Sequence, residues 1–383
     1  MKLKNSEQRN PWLWVPSLYL AEGLPYVVVM TVSVIMYKRL NISNTEIALY
    51  TSWLYLPWVI KPFWSPVVDL LKTKRFWIVI MQFFIGAGLA GVALTLPTEK
   101  FFQYTLAFFW LMAFSSATHD IAADGFYMLG LKQHQQAYFV GIRSTFYRIA
   151  MLAGQGLLVI LAGQIEESSG DISYAWIITF FILASLFVLF LVYHLLILPH
   201  PKSDAPREKI QVEHFVKEFL RTFISFFKRK EIIVIVLFIL FYRFAEAQLV
   251  KMASPFLLDN KDVGGLALTT TNVGIVYGTV GVIALSLGGI LGGIAASRKG
   301  LKFWIWWMLI AINLPDLVYV YLAATQTSNF ILINFCIAVE QFGYGFGFTA
   351  YMLYMIYISE GLKRTDGLAN LPELRSRSKS HDE

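Results

Sequence analysis

Ten apolar runs, each long enough to cross a bilayer, leave this chain little choice of architecture. They cover residues 12–37, 46–70, 76–97, 101–129, 138–162, 174–198, 231–256, 272–296, 302–324 and 329–358, and about 20 residues of α-helix span a hydrocarbon core. Lipid offers no hydrogen bonds, so a backbone inside it must satisfy its own polar groups, and runs of this length do so as helices. With 57% hydrophobic and 15% charged residues among 383, the chain is too apolar for a water-soluble protein of its size. An all-α integral membrane protein with about ten transmembrane helices is expected. The polar residues 1–10 lead into a first run too long for a signal-peptide core and without a small-residue cleavage site, so it is expected to stay as the first span, with no soluble domain before it.

The net charge of +7 is topological rather than a sign of nucleic acid. Lysine and arginine collect at the N-terminus (Lys2, Lys4, Arg9), in the second connection (Lys72, Lys74, Arg75), at Lys132, in the stretch 199–230, around Arg298, Lys299 and Lys302, and in the tail. The opposite connections hold Glu99, Glu166, Glu167, Asp171, Asp259 and Asp262 against Lys38, Arg39, Lys100 and Lys261. By the positive-inside rule both termini are expected in the cytoplasm. The single Cys336 excludes a disulfide framework and a multi-cysteine metal site.

Residues 199–230 read as a linker between two halves, with 212–227 patterned as an amphipathic helix on the membrane. Two echoes lie about 225 residues apart: Tyr19-Leu20-Ala21-Glu22-Gly23-Leu24 against Phe244-Ala245-Glu246-Ala247-Gln248-Leu249, and Leu71-Lys72-Thr73-Lys74-Arg75-Phe76-Trp77 against Ser297-Arg298-Lys299-Gly300-Leu301-Lys302-Phe303-Trp304. They point to parallel repeats, as in major facilitator transporters. The expected division is a six-helix bundle over 1–198, a cytoplasmic linker over 199–230, a four-helix second bundle over 231–358 and a polar tail over 359–383. The second half then lacks an eleventh and a twelfth span, as a ten-helix variant or a truncated or frameshifted chain would.

Charge inside the spans marks the candidate site. Ser116, Asp120 and Asp124 recur every four residues and form one stripe, with His119 about 100° away. Each acid costs roughly 2.5–3.5 kcal/mol in a bilayer unless it faces other helices or a wet cavity. The two acids either reach interfacial water at a helix end or form a proton or solute site. Glu22, three residues before Pro25, either faces a cavity or pairs with a basic neighbour. Glu246 matches it in the seventh span, where an Arg243–Glu246 pair on one helix face is the plain alternative. In the fifth span Arg143 is expected to snorkel to headgroups. Arg148, with Gln155 on its stripe, is expected to neutralise Asp120 or Asp124 or to hold an anionic solute. Lys61, Asp69, Lys72 and Arg75 read as a gate. Asp316 and Glu340 are further acids within spans, and His119 reads as a hydrogen-bonded core residue. The glycines at 288–293 and 343–347 read as packing faces, not as a phosphate loop.

These residues resemble the AmpG muropeptide permease family of the major facilitator superfamily. The likeness rests on Ala21-Glu22-Gly23-Leu24-Pro25, on Lys61-Pro62-Phe63-Trp64-Ser65-Pro66-Val67-Val68-Asp69, on Ser115-Ser116-Ala117-Thr118-His119-Asp120-Ile121-Ala122-Ala123-Asp124 and on Tyr147-Arg148-Ile149-Ala150-Met151-Leu152. His119 stands where the family usually has glutamine, Glu22 replaces a small residue, and the family's last two helices are absent. The resemblance implies two pseudo-symmetric bundles and proton-driven import of anhydromuropeptides across a bacterial inner membrane, for peptidoglycan recycling. Related branches resemble acetyl-CoA and siderophore carriers.

The expectation is thus a secondary transporter and not an enzyme, with no cofactor and no metal. Asp120, Asp124 and Glu22 are assigned to proton coupling, and Arg148, Arg243, Glu246, Gln155, Ser116 and His119 to the solute. Its partners are protons, a small-molecule solute and lipids, and it is a monomer. A membrane-embedded metal-dependent transferase is the competing class, because a D-x-x-x-D pair also holds metal ions on a diphosphate. Such enzymes need a second acidic cluster, which Asp316 alone does not supply. An inactive, truncated remnant is the third reading.

Overall fold

The computed structural model describes residues 9–205, 217, 221, 224, 227–228 and 231–369, so most of the expected amphipathic stretch 212–227 and the end of the tail lie outside the described residues. Among the described residues, eight helices are long and apolar enough to cross a membrane. We label them with the two remaining expected spans as α1 (Pro11–Arg39), α2 (44–71), α3 (Lys74–Thr95), α4 (Phe101–Gly130), α5 (133–169), α6 (Ile172–Ile197), α7 (Ile232–Leu258), α8 (Thr270–Lys299), α9 (Leu301–Thr325) and α10 (Phe330–Ala369). The fourth run forms one unbroken helix of 30 residues.

The second run does not form one helix. Pro57, Pro62 and Pro66 each lack a backbone donor and crowd the preceding turn. The chain therefore advances as Asn44–Trp53, Leu56–Ile60, a 3₁₀ turn at Lys61–Phe63, and Ser65–Leu71. Helix starts are set by side-chain caps: Ser43 and Glu46 form a reciprocal capping box, and Thr73, Asp171 and Thr269 accept from Phe76, Tyr174 and Asn272.

The chain packs as two units. The first comprises Met1–Phe215, Gln248–Ile283 and Val318–Ala338. Its main core gathers Tyr37, Phe109, Trp176 and Phe180 with aliphatic residues of α1, α3, α7 and α8. Tyr37 and Thr105 share a hydrogen bond of 2.8 Å inside it. The second unit comprises Val216–Ala247, Ala284–Leu317 and Val339–Glu383. Its core is Tyr242, Ala296, Met308, Ile312 and Ala350, and the Tyr242 hydroxyl donates to the carbonyl of Gly347 at 2.9 Å.

Glycine sets the closest helix approaches. In the second unit a Cβ on Gly288 would lie 2.1 Å from the carbonyl oxygen of Phe342, and one on Gly345 would lie 2.0 Å from that of Leu285. These glycines of α8 and α10 form the packing faces expected of them. In the first unit Gly278 of α8 lies against the backbone of Gln155 on α5. Both helices are π-helical at this contact, over Ala153–Leu158 and Gly274–Gly281, and α1 has a π segment at Val28–Val32, just after Pro25.

Candidate functional site

The break in α2 carries Lys61 into a chamber of about 300 Å³ in the first unit, lined also by Glu22, Tyr26, Tyr55, Trp58, Asp120 and Tyr147. Lys61 forms an ion pair with Asp120 of α4. Tyr26 and Trp58 meet edge-to-face with centroids 5.1 Å apart, giving the chamber an aromatic wall. Glu22 is buried, and its Oε2 has no hydrogen-bond partner. One cavity thus combines a carboxylate with an open acceptor, an ion pair and flat apolar surface. That mixture suits a polar solute with ring faces.

Asp124, one turn further along α4, belongs to a different cluster. Its Oδ1 accepts from the Tyr19 hydroxyl at 3.0 Å and lies 3.0 Å from Nη2 of Arg143. The Arg143 guanidinium lies over the rings of Tyr19 and Tyr127, 4.7 and 5.1 Å from their centroids. Arg143 was expected to snorkel; it turns inward instead, because two ring faces and a carboxylate hold its planar cation at defined geometry. Among the described residues, the ion pairs of Asp120 and Asp124 are with Lys61 and Arg143, the latter in the role assigned to Arg148. Arg148 has interactions of its own on α5. The two acids of the D-x-x-x-D pair are thus engaged by separate cations.

The other expected site residues lie off the chamber wall. Ser116 is buried on α4, and Gln155 donates to the Thr31 hydroxyl at 3.2 Å. His119 is a hydrogen-bonded core residue, as expected, but not a lone one. Its Nε2 lies 3.1 Å from the Gln82 amide, which lies 2.8 Å from Nδ1 of His194, whose Nε2 is 3.0 Å from the Ser17 hydroxyl. This chain ties α4, α3, α6 and α1 together. His119→Gln is expected to preserve it, whereas His119→Phe leaves the Gln82 amide with His194 as its one remaining partner in this chain and costs about 1 kcal/mol; thermal unfolding in detergent distinguishes the two.

Of the expected gate, Lys61 is taken up by Asp120, and the side chain of Asp69 lies outside the described residues. Lys72 lies over the Phe76 ring at 5.8 Å. Arg75 donates to the carbonyl of Leu195 at 2.5 Å, and the backbone N–H groups of Lys74 and Arg75 donate to Asp204 at 2.6 and 3.0 Å. Nothing in the sequence singles out Asp204. Nor does the sequence pair the charges of the acidic connections: Lys38 with Asp259, and Arg39 with Glu166, Nε to Oε2 at 3.3 Å. Thr270 adds a hydrogen bond to Glu166 at 2.8 Å, and Asn44 one to Asp259 at 2.9 Å. These contacts link the ends of α1, α5, α7 and α8.

In the second unit Asp316 is not isolated: Glu246, Asp316 and Glu340 converge, with one carboxylate oxygen of each within 4.8 Å of the others. The anticipated Arg243–Glu246 pair is replaced by a bond from Arg243 Nη2 to the Tyr344 hydroxyl at 2.8 Å, and the guanidinium lies on Tyr344, Phe348 and Tyr351. The reason is local: α7 leaves helical geometry at Arg243 (φ −114°, ψ 15°), so a helix-face spacing does not apply there.

The chain is 26% identical to "Putative transporter AmpG 4" of Rickettsia conorii over 355 residues, covering 88% of this chain and 80% of that protein. It is 26% identical to the anhydromuropeptide permease of Escherichia coli K12 over 249 residues, 64% of this chain and 47% of that one. Among solved structures, a bacterial homologue of the human lysosomal transporter Spinster, inward-facing and unoccupied, superposes with a TM-score of 0.66 at 16% identity, covering 89% of this chain and 74% of that chain. The Major Facilitator Superfamily pattern matches residues 17–369. Broken and unbroken spans, charged chamber and family pattern agree: this chain belongs to the Major Facilitator Superfamily, whose members are multi-pass membrane transporters of small-molecule solutes and not enzymes.

Proposed function

We propose that this protein imports anhydromuropeptides, or a closely similar anionic solute, across a bacterial inner membrane in symport with protons, with both termini in the cytoplasm. The observation that carries the reading is the chamber of the first unit. An amino-sugar ring stacks on the Tyr26–Trp58 wall, Lys61 meets a solute carboxylate, and Glu22 and Asp120 exchange protons as Lys61 is drawn from one partner to the other. The names of its relatives support the same solute class. Import follows from a change in the balance between inward-open and outward-open states as Glu22 and Asp120 gain and lose protons.

Uptake tests it. In vesicles with an inward proton gradient, labelled anhydromuropeptide is expected to accumulate at least about tenfold over protein-free controls, and to lose most of that gain when the gradient is collapsed. Accumulation of acetyl-CoA or a ferric siderophore in its place assigns the protein to one of those branches.

The ion pairs of the acidic connections act in this scheme as the outer gate. Two pairs at roughly 1 kcal/mol each hold it, so Glu166→Gln shifts the balance toward outward opening by about fivefold. In a Cys336→Ser background carrying Trp58→Cys, a membrane-impermeant maleimide applied from outside should label the chamber correspondingly faster. An unchanged rate removes the gate role from Glu166.

A further inference from the structure

Two helices of the second unit break where they carry an acid. Helix α7 is interrupted at Arg243, and Glu246 lies in the first turn of the stretch that resumes at Phe244. Helix α9 passes through a 3₁₀ turn at Leu314–Asp316, forced by Pro315, and Asp316 closes that turn. Glu340 comes from α10. Glu246 is 1% exposed, yet neither of its carboxylate oxygens has a hydrogen-bond partner, and the same holds for both oxygens of half-buried Asp316. Glu340 is held by the neighbouring Gln341, whose amide donates to both its oxygens at 3.1 Å.

An unpartnered carboxylate buried at membrane depth is costly, and here one points into a group of three. The donor set is oxygen only, without Cys or His, which selects hard cations over soft transition metals. A cation the size of Ca²⁺ keeps its ligands at about 2.3–2.6 Å, so oxygens on opposite sides of it lie roughly 5 Å apart. The observed spread within 4.8 Å fits that span. Interrupted helices are also where membrane transporters bring side chains and freed backbone groups to an ion. We propose that Glu246, Asp316 and Glu340 form a binding site for a hard metal cation, Ca²⁺ or Na⁺. This goes beyond the proton-coupled import proposed above and does not depend on which solute is carried.

The test uses the purified full chain in detergent, at fixed pH and ionic strength. CaCl₂ is titrated after chelation, and NaCl is titrated against choline chloride. One of the two is expected to raise the unfolding midpoint saturably, by about 3 °C or more at a hundredfold excess over half-saturation. Equilibrium dialysis with the radioactive ion should give about one ion per chain. Glu246→Gln and Asp316→Asn should each weaken binding at least about tenfold, while Glu99→Gln on an exposed connection leaves it unchanged. Dialysis on the wild-type chain decides the matter if the variants do not fold. Absence of bound Ca²⁺ and Na⁺, a midpoint that follows pH alone, or equal binding by folded Glu246→Gln overturns the proposal.

Discussion

Asp120→Asn is expected to lower solute uptake about thirtyfold or more at equal membrane abundance. The substitution keeps the size of the side chain and removes the charge that Lys61 faces in the chamber. Removing one member of a buried charge pair from a binding site costs about 2–5 kcal/mol, much of it the isolation of the charge left behind, and this partly buried pair, with side chains 34% and 17% exposed, belongs at the lower bound. At the lower bound that is roughly a thirtyfold loss. Lys61→Met combined with Asp120→Asn should recover unfolding midpoint lost by Asp120→Asn alone, since the pair leaves together, but not uptake, because Lys61 is the group that meets the solute carboxylate. Uptake by Asp120→Asn at the wild-type rate would remove the ion pair from the transport cycle.

Gly278→Ala is expected to be the most damaging single methyl group in the first unit. Its Cβ would fall 1.9 Å from the carbonyl oxygen of Gln155, 2.2 Å from the carbonyl carbon and 2.6 Å from the nitrogen of Gly156. All three are backbone atoms, so no rotamer change relieves the clash, and α5 and α8 must separate. Overpacking a well-fitted interface costs about 1–3 kcal/mol where side chains absorb it. A backbone collision belongs at or above the top of that range, so about 3 kcal/mol is expected, read as a lowered unfolding midpoint. Gly141→Ala on α5 is the control. Nothing lies within 4 Å of its Cβ, and alanine favours the helix by up to about 1 kcal/mol.

Span positions were legible because hydrophobic run length alone locates a membrane helix, and the acids of α4 stood out because charge in such a run is costly. The partners of those acids were not legible. Asp120 meets a lysine 59 positions away and Asp259 a lysine 221 positions away. Choosing between Arg143 and Arg148 required the rotation of α5 about its axis, since five residues turn a helix by about 140° beyond one revolution. The same holds for Glu246, Asp316 and Glu340, whose convergence depends on two helix breaks. Pro315 announced one of them, whereas no residue announced the break at Arg243. The three prolines of α2 were visible, but only the folded chain shows that the resulting 3₁₀ turn directs Lys61 inward.

The wide turns of α5 and α8 have a mechanical consequence. A π turn holds one residue more than an α turn, and such turns occur mostly as single-turn bulges inside α-helices, frequently at functional sites. Where Ala153–Leu158 and Gly274–Gly281 meet, Gly278 rests on the backbone of Gln155 while Gly156 faces the Thr279 hydroxyl and Gly274 faces Ile160, so a change of turn in one helix displaces the other directly.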